Sequence, residues 1–118
     1  MAESNTKMNY DSDEDILSLS RGRKVKASIE IGDFVIDVDT KGFITGIEIL
    51  NASQNLGLKE DQLRRIQRAS MSVKYKPNCV YIFLIMQLEN KEKDITIPLT
   101  VDLGHGTLIT EKANFAAA

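Results

Sequence analysis

The sequence predicts an α+β fold: an antiparallel β-meander, one α-helix, then a second antiparallel β set. Three observations predict it. Apolar residues alternate at period two over residues 24–31 and again over 95–101, as half-buried strands require. Between them, residues 59–69 hold good helix formers and neither Gly nor Pro. Short turn signals, Gly32 with Asp33 and Thr40-Lys41-Gly42, punctuate the first half.

Residues 1–9 are polar and are expected to form a flexible N-terminus. A single domain is expected over 10–113, with 114–118 as a frayed tail. Within it, residues 15–20 read as a strand and Arg21-Gly22-Arg23 as a turn. In residues 24–31, Val25, Ala27, Ile29 and Ile31 face one way, and Lys24, Lys26, Ser28 and Glu30 the other. Gly32 and Asp33 make a two-residue hairpin turn into the strand 34–39. Gly42 supplies a positive φ before the strand 43–50. Four strands joined by short turns make a meander in sequence order.

The helix over 59–69 carries Leu63 and Ile66 on one stripe. Glu60 and Asp61 sit early and the arginines late, which complements the helix dipole. The second β set spans 71–110. Its strands are 71–76, 80–88, 95–101 and a last short one at 107–110, with a charged hairpin loop over 89–94. Pro98 lacks an amide hydrogen to donate, which places its strand at a sheet edge.

With 118 residues and 42% apolar content, the chain is long enough for one core and too apolar to be disordered. One cysteine excludes an internal disulfide framework. The longest apolar run, from Cys79 to Met86, is about half a membrane span. Met1 to Asp15 contains no apolar segment of the kind a secretory signal carries, so a cytoplasmic protein is expected. A net charge of -2 gives no overall pull toward nucleic acid. Charge alternates instead in blocks: acidic up to Asp15, basic from Arg21 to Lys26, acidic from Glu30 to Glu48, basic from Lys59 to Lys76. Such alternation suits internal pairing or self-association.

Several residues are candidates for chemistry. From Asp37 to Glu48 the spacing imitates a calcium loop, with Asp37, Asp39 and Glu48 as metal candidates and Gly42 at the sharp turn. Lys41 stands where a ligand oxygen should be, and the flanks are strand-like. A β-hairpin is therefore expected, and no metal or cofactor. Glu48 either points to solvent or faces inward against a cationic partner. His105 lies between Gly104 and Gly106, far from any nucleophile, and reads as a loop histidine. Cys79 opens the most apolar strand and reads as an inert thiol. Arg64, Arg65 and Arg68 form a basic helix face that could meet phosphates, with little aromatic interleaving. No set of catalytic residues is coherent, so no enzymatic activity is expected.

The strand 80–88 is apolar on both faces and must be covered twice. Val80, Ile82, Leu84 and Met86 can pack under the helix. Tyr81, Phe83 and Ile85 are left as an interface, and a homodimer or a cognate protein is expected to cover them.

One further pattern joins Tyr10 and Asp11, Asp15 with Leu17 and Leu19, the run Val35-Ile36-Asp37-Val38-Asp39, Gly42, and Gly46-Ile47-Glu48-Ile49-Leu50-Asn51-Ala52-Ser53. Over residues 10–53 it resembles the prokaryotic family called domain of unknown function 2283. The resemblance implies a small, mostly β fold in a bacterial or archaeal cytoplasm, and no catalytic residues. Some small members being partners of toxin-like proteins, it also implies a protein partner. Ser18 departs from the pattern, where an aromatic residue is usual.

Overall fold

Two antiparallel sheets make up the computed structural model, which describes residues 6–77, 79–99 and 109–116, with the clearest alternation of buried and exposed side chains in Ile16–Ser20, Arg68–Lys76 and Cys79–Gln87. The first sheet comprises β1 (Lys7–Asp11), β2 (Ile16–Ser20), β3 (Val25–Ile31), β4 (Phe34–Asp39) and β5 (Ile44–Ile49), in the order β1-β2-β5-β4-β3. Two short helices follow, α1 (Ala52–Leu56) and α2 (Glu60–Arg64). The second sheet comprises β6 (Arg68–Lys76), β7 (Cys79–Gln87), β8 (Glu92–Leu99) and β9 (Ile109–Ala116), in the order β8-β7-β6-β9.

The mostly antiparallel architecture is as the sequence predicts, but not its details. Residues 7–9 belong to β1 rather than to a loose terminus, and 114–116 belong to β9 rather than to a frayed tail. Two short helices stand where the sequence predicts one: α1 is not predicted, and the helix over 59–69 is only α2. At Gln67 the backbone amide already donates to the Gln87 carbonyl (2.9 Å), and Arg68 pairs with Gln87 in the ladder. Long-range pairing there overrides helix propensity. The charged loop 89–94 is shorter than expected, because β8 begins at Glu92.

The strand order is also not a plain meander. β3, β4 and β5 follow one another, but β2 pairs with β5 and not with β3. This is the Greek-key arrangement. Residues 21–24 must therefore cross three strand spacings, roughly 14 Å, almost fully extended. That strap is fastened at both ends of its course. The Arg21 amide donates to the Thr45 carbonyl (2.7 Å), and the Arg23 amide to Thr45 Oγ1 (3.2 Å). The Arg23 guanidinium reaches the Ile44 carbonyl (3.2 Å) and the buried Asp39 carboxylate (3.2 Å).

The sheets face each other across one core. Leu17 and Leu19, Ile36, Ile47 and Ile49 come from the first sheet, and Met71, Val73, Val80, Ile82, Leu84 and Met86 from the second. Leu56 and Leu63 of the helices close its side. Val80, Ile82, Leu84 and Met86 are thus covered by this shared core and not by one helix. Tyr75 stitches the layers: its hydroxyl accepts the Ile44 amide (2.8 Å), and its ring meets Phe43 edge-on at 5.4 Å. β8 is an edge strand, as Pro98 requires. No helix among the described residues is long and apolar enough to cross a membrane.

Candidate interaction face

β7 is a central strand, so its residues alternate between the core and the outer surface of the second sheet. Tyr81, Phe83 and Ile85 form the outward row. Ile85 is 41% exposed, and Tyr81 and Phe83 are half-buried. Among the described residues only Ile85 and Val25 are large apolar side chains left exposed. The Tyr81 and Phe83 rings stack at 6.3 Å with 26° between planes, and Lys76 Nζ lies 5.4 Å from the Tyr81 ring centre. These contacts hold the aromatic pair flat along the strand and give it a cation at one end. The Tyr81 phenol is held above its ordinary value, first by its hydrogen bond with the Cys79 sulfur, then by electrostatic repulsion between the two groups' anionic forms. Cys79 itself is half-exposed and free.

The two strands beside this row differ in charge. On β6, Lys74 is opposite Tyr81, Ser72 opposite Phe83, Ser70 opposite Ile85 and Arg68 opposite Gln87. On β8, Pro98, Thr96, Asp94 and Glu92 stand opposite the same four residues. The face is an apolar stripe with a basic margin and an acidic margin.

The metal candidates do not converge. Asp37 accepts a hydrogen bond from the Ser28 hydroxyl (2.7 Å) on the outer face of the first sheet. Asp39 Oδ1 accepts the Lys41 and Phe43 amides (both 2.9 Å), and Oδ2 pairs with Arg23. Its carboxylate builds a turn and anchors the strap. Gly42 adopts a φ of 88°, as that turn requires. Glu48 is half-buried between Ser18 and Val35. Among the described residues no group of His, Cys, Asp and Glu side chains is placed to hold a metal. Asp102, Gly104, His105 and Gly106 lie outside the described residues.

Nor do the three arginines share a helix face, since Arg68 stands in β6. Arg64 pairs with Glu60 (3.8 Å), and Arg65 with Asp61 and with Glu89 (3.8 Å). Arg68 instead becomes part of the margin beside the apolar stripe.

A polar cluster that the sequence reading missed joins Tyr10, Asp15 and Ser53. The Tyr10 hydroxyl donates to Asp15 (2.6 Å), as do the Ser53 hydroxyl (2.6 Å) and amide (3.1 Å). The Asp15 carbonyl accepts the Ala52 amide (2.9 Å). Asp15 therefore supplies, from the β1–β2 turn, the cap that α1 lacks in its own chain neighbours. Burial opposes ionisation of Asp15, but the hydrogen bonds from Ser53 and Tyr10 outweigh it and hold the carboxyl below its ordinary value. Burial, then the bond to Asp15, pushes the Tyr10 phenol up. Asp15 takes a φ of 57° to turn its carboxylate inward. These residues belong to the family-like pattern, but a separation of 38 residues between Asp15 and Ser53 leaves no periodic signal. The cleft beside the cluster, lined by Met8, Tyr10, Leu63 and Arg64 among others, holds ≈ 200 Å³. That is below the range usual for small-molecule sites.

Fold and face together define a small two-sheet antiparallel protein with one open apolar stripe. The family model described as protein of unknown function (DUF2283) matches residues 7–53, which are the first sheet and the start of α1. An uncharacterised protein of Methanocaldococcus jannaschii is 31% identical over 91 residues, covering 75% of this chain and 78% of that protein. The chain belongs to this family of proteins of unknown function. A protein of Methanosarcina mazei named "Putative hypoxanthine phosphoribosyltransferase" is 26% identical over 89 residues, covering 75% of this chain and 72% of that protein. No solved structure matches.

Proposed function

We propose that the protein is a non-enzymatic interaction module of the cytoplasm that binds a protein partner through the outer face of its second sheet. The observation that supports this reading is the row Tyr81, Phe83 and Ile85, which is apolar, contiguous and open on a central strand. A surface row of this kind loses free energy to water at roughly 25 cal/mol per Å² and regains it on association. The divided arginines and the engaged Asp39 lend no comparable support to a phosphate or metal site.

The test is a nuclease-treated pull-down from native-host lysate with the tagged full chain and with its Phe83→Asp variant. Both must first show the same thermal midpoint. A stoichiometric protein retained by the natural chain and lost by the variant supports the reading, whether that protein is another copy of the chain or not. Equal capture by both, or capture by neither, overturns it.

A further inference from the structure

The margins of the open face carry more information than its apolar centre. On one side β6 presents Arg68, Lys74 and Lys76. On the other β8 presents Glu92 and Asp94. Across β6, β7 and β8 the face thus has a positive side and a negative side, separated by an apolar row that runs along β7, with β9 lying beyond β6. A surface of this kind is complementary to itself. Two copies can be stacked face to face by a two-fold axis lying in the plane of contact. For aligned sheets the axis runs either along the strands or across them. Across the strands, β6 of one copy would cover β6 of the other, and three cations would meet three cations. Along the strands, left and right exchange: β6 of each copy covers β8 of the other. Arg68 and Glu92 share one row, each two strands from the other with Gln87 between them. The same axis therefore brings Arg68 of each copy over Glu92 of the partner copy, with Asp94 one row away.

We propose that the partner on this face is a second copy of this chain, related by a two-fold axis along β7. The proposal rests on the reading of the face as an interaction surface and goes further by fixing the occupant and its orientation. The area sets its strength. With the axis along β7 three strands of each copy overlap and β9 lies outside the contact, so the overlap is roughly 14 Å by 27 Å, or about 750 Å² counted over both copies. That is the size of a weak, transient interface, so a dimer that forms only well above about 10 micromolar protein is expected. Salt weakens it, because the Arg68 and Glu92 pairs are exposed at its rim.

Two measurements on the full chain decide the matter. The first is sedimentation equilibrium of four proteins: the natural chain, Arg68→Glu, Glu92→Arg and the double variant. Each charge reversal acts twice in a two-fold dimer and places like charges together. Each single variant should weaken dimerisation about 5–10-fold, and the double variant should recover to within about 2-fold. The second uses Cys79, the chain's one cysteine, at the end of the same row. With the axis along β7 the two Cys79 residues face each other across the layer spacing, and a bis-maleimide of about 10 Å span should link them. With the axis across the strands they would lie roughly 27 Å apart and would not react.

Rescue by the double variant together with the Cys79-linked dimer supports the proposal. A dimer that Phe83→Asp abolishes, but that shows neither rescue nor linkage, overturns the orientation and leaves the interaction reading standing. A strict monomer at 100-fold above micromolar protein overturns the second copy as occupant. If Phe83→Asp then still loses a captured protein from lysate, the interaction reading survives. If it loses nothing, both fall.

Discussion

The outer face of the first sheet carries polar groups that are matched locally, whereas the outer face of the second carries an apolar row that the described residues leave partly open. On the first, Ser28 caps Asp37, and Glu48 sits between Ser18 and Val35. Gly46 lets the neighbouring strand come close: a Cβ there would lie 3.0 Å from the Leu19 carbonyl and 3.3 Å from Asp37 Oδ2. On the second, Tyr81, Phe83 and Ile85 lie between a basic and an acidic strand. Both sheets bury their inner faces in the same core. The difference is therefore not a demand of folding. Polar residues at 81, 83 and 85 would leave that core intact, and the apolar ones there are what the proposed interaction would use.

The family match gives this contrast a second meaning. It covers the first sheet, which alone would leave Leu17, Leu19, Ile36, Ile47 and Ile49 uncovered. In this chain the inner face of the second sheet covers them. The second sheet covers the family module with its inner face and leaves its outer face to the proposed interaction.

The sharpest way to break the comparison uses adjacent residues on opposite faces of β7. Leu84 is fully buried and Ile85 is 41% exposed. Leu84→Ala should cost about 2–5 kcal/mol in urea unfolding, as core truncations do. Ile85→Ala should change unfolding by less than about 0.5 kcal/mol at concentrations where the chain is monomeric. A large cost for Ile85→Ala would show that its face is covered within the monomer, and the contrast would be lost.

The joint between the sheets is open to a smaller test. Tyr75 reaches from β6 to the Ile44 amide in the first sheet. Tyr75→Phe keeps the ring and its contact with Phe43 but leaves that buried amide without its acceptor. The expected cost is about 1–3 kcal/mol, measured as a shift in urea midpoint at unchanged slope. A cost near zero would mean that the layers hold by apolar packing alone.

The particular elements explain how much of this the sequence could show. The strands with period-two alternation, β3 and β8, were legible, as were β4, β5 and β7 from their apolar runs and the turns that bound them, and so was the edge position implied by Pro98. The outward row of β7 followed directly from a strand apolar on both faces. β1 was not legible, because Lys7, Asn9 and Asp11 alternate with only Met8 and Tyr10, and such a strand exists by pairing with β2. The end of α2 was misplaced because Arg68 and Ala69 have helical propensity, and only the distant Gln87 claims them for a ladder. Strand order was hidden for a related reason. Nothing local in β2 says whether β3 or β5 lies beside it, and the strap bonds to Thr45 and Asp39 decide it.

The smallest expected effect concerns the polar cluster that fastens the first sheet to α1. Asp15 has a depressed pKa in the fold, because the bonds from Ser53 and Tyr10 require the ionised form and outweigh burial. A group depressed in this way contributes stability above its unfolded value of 3.8 and loses that contribution as pH falls through the folded value. Unfolding free energy of the natural chain should therefore decline as pH drops below 3.8. Asp15→Asn cannot ionise, so its contribution to that slope should vanish while its stability near pH 7 falls. Tyr10→Phe should flatten the slope only in part, since the two Ser53 bonds remain. Parallel acid titrations of the three proteins, followed by circular dichroism in fixed urea, separate these cases. Identical slopes in all three would mean that other carboxylates carry the acid sensitivity and that Asp15 fastens α1 by its backbone carbonyl alone.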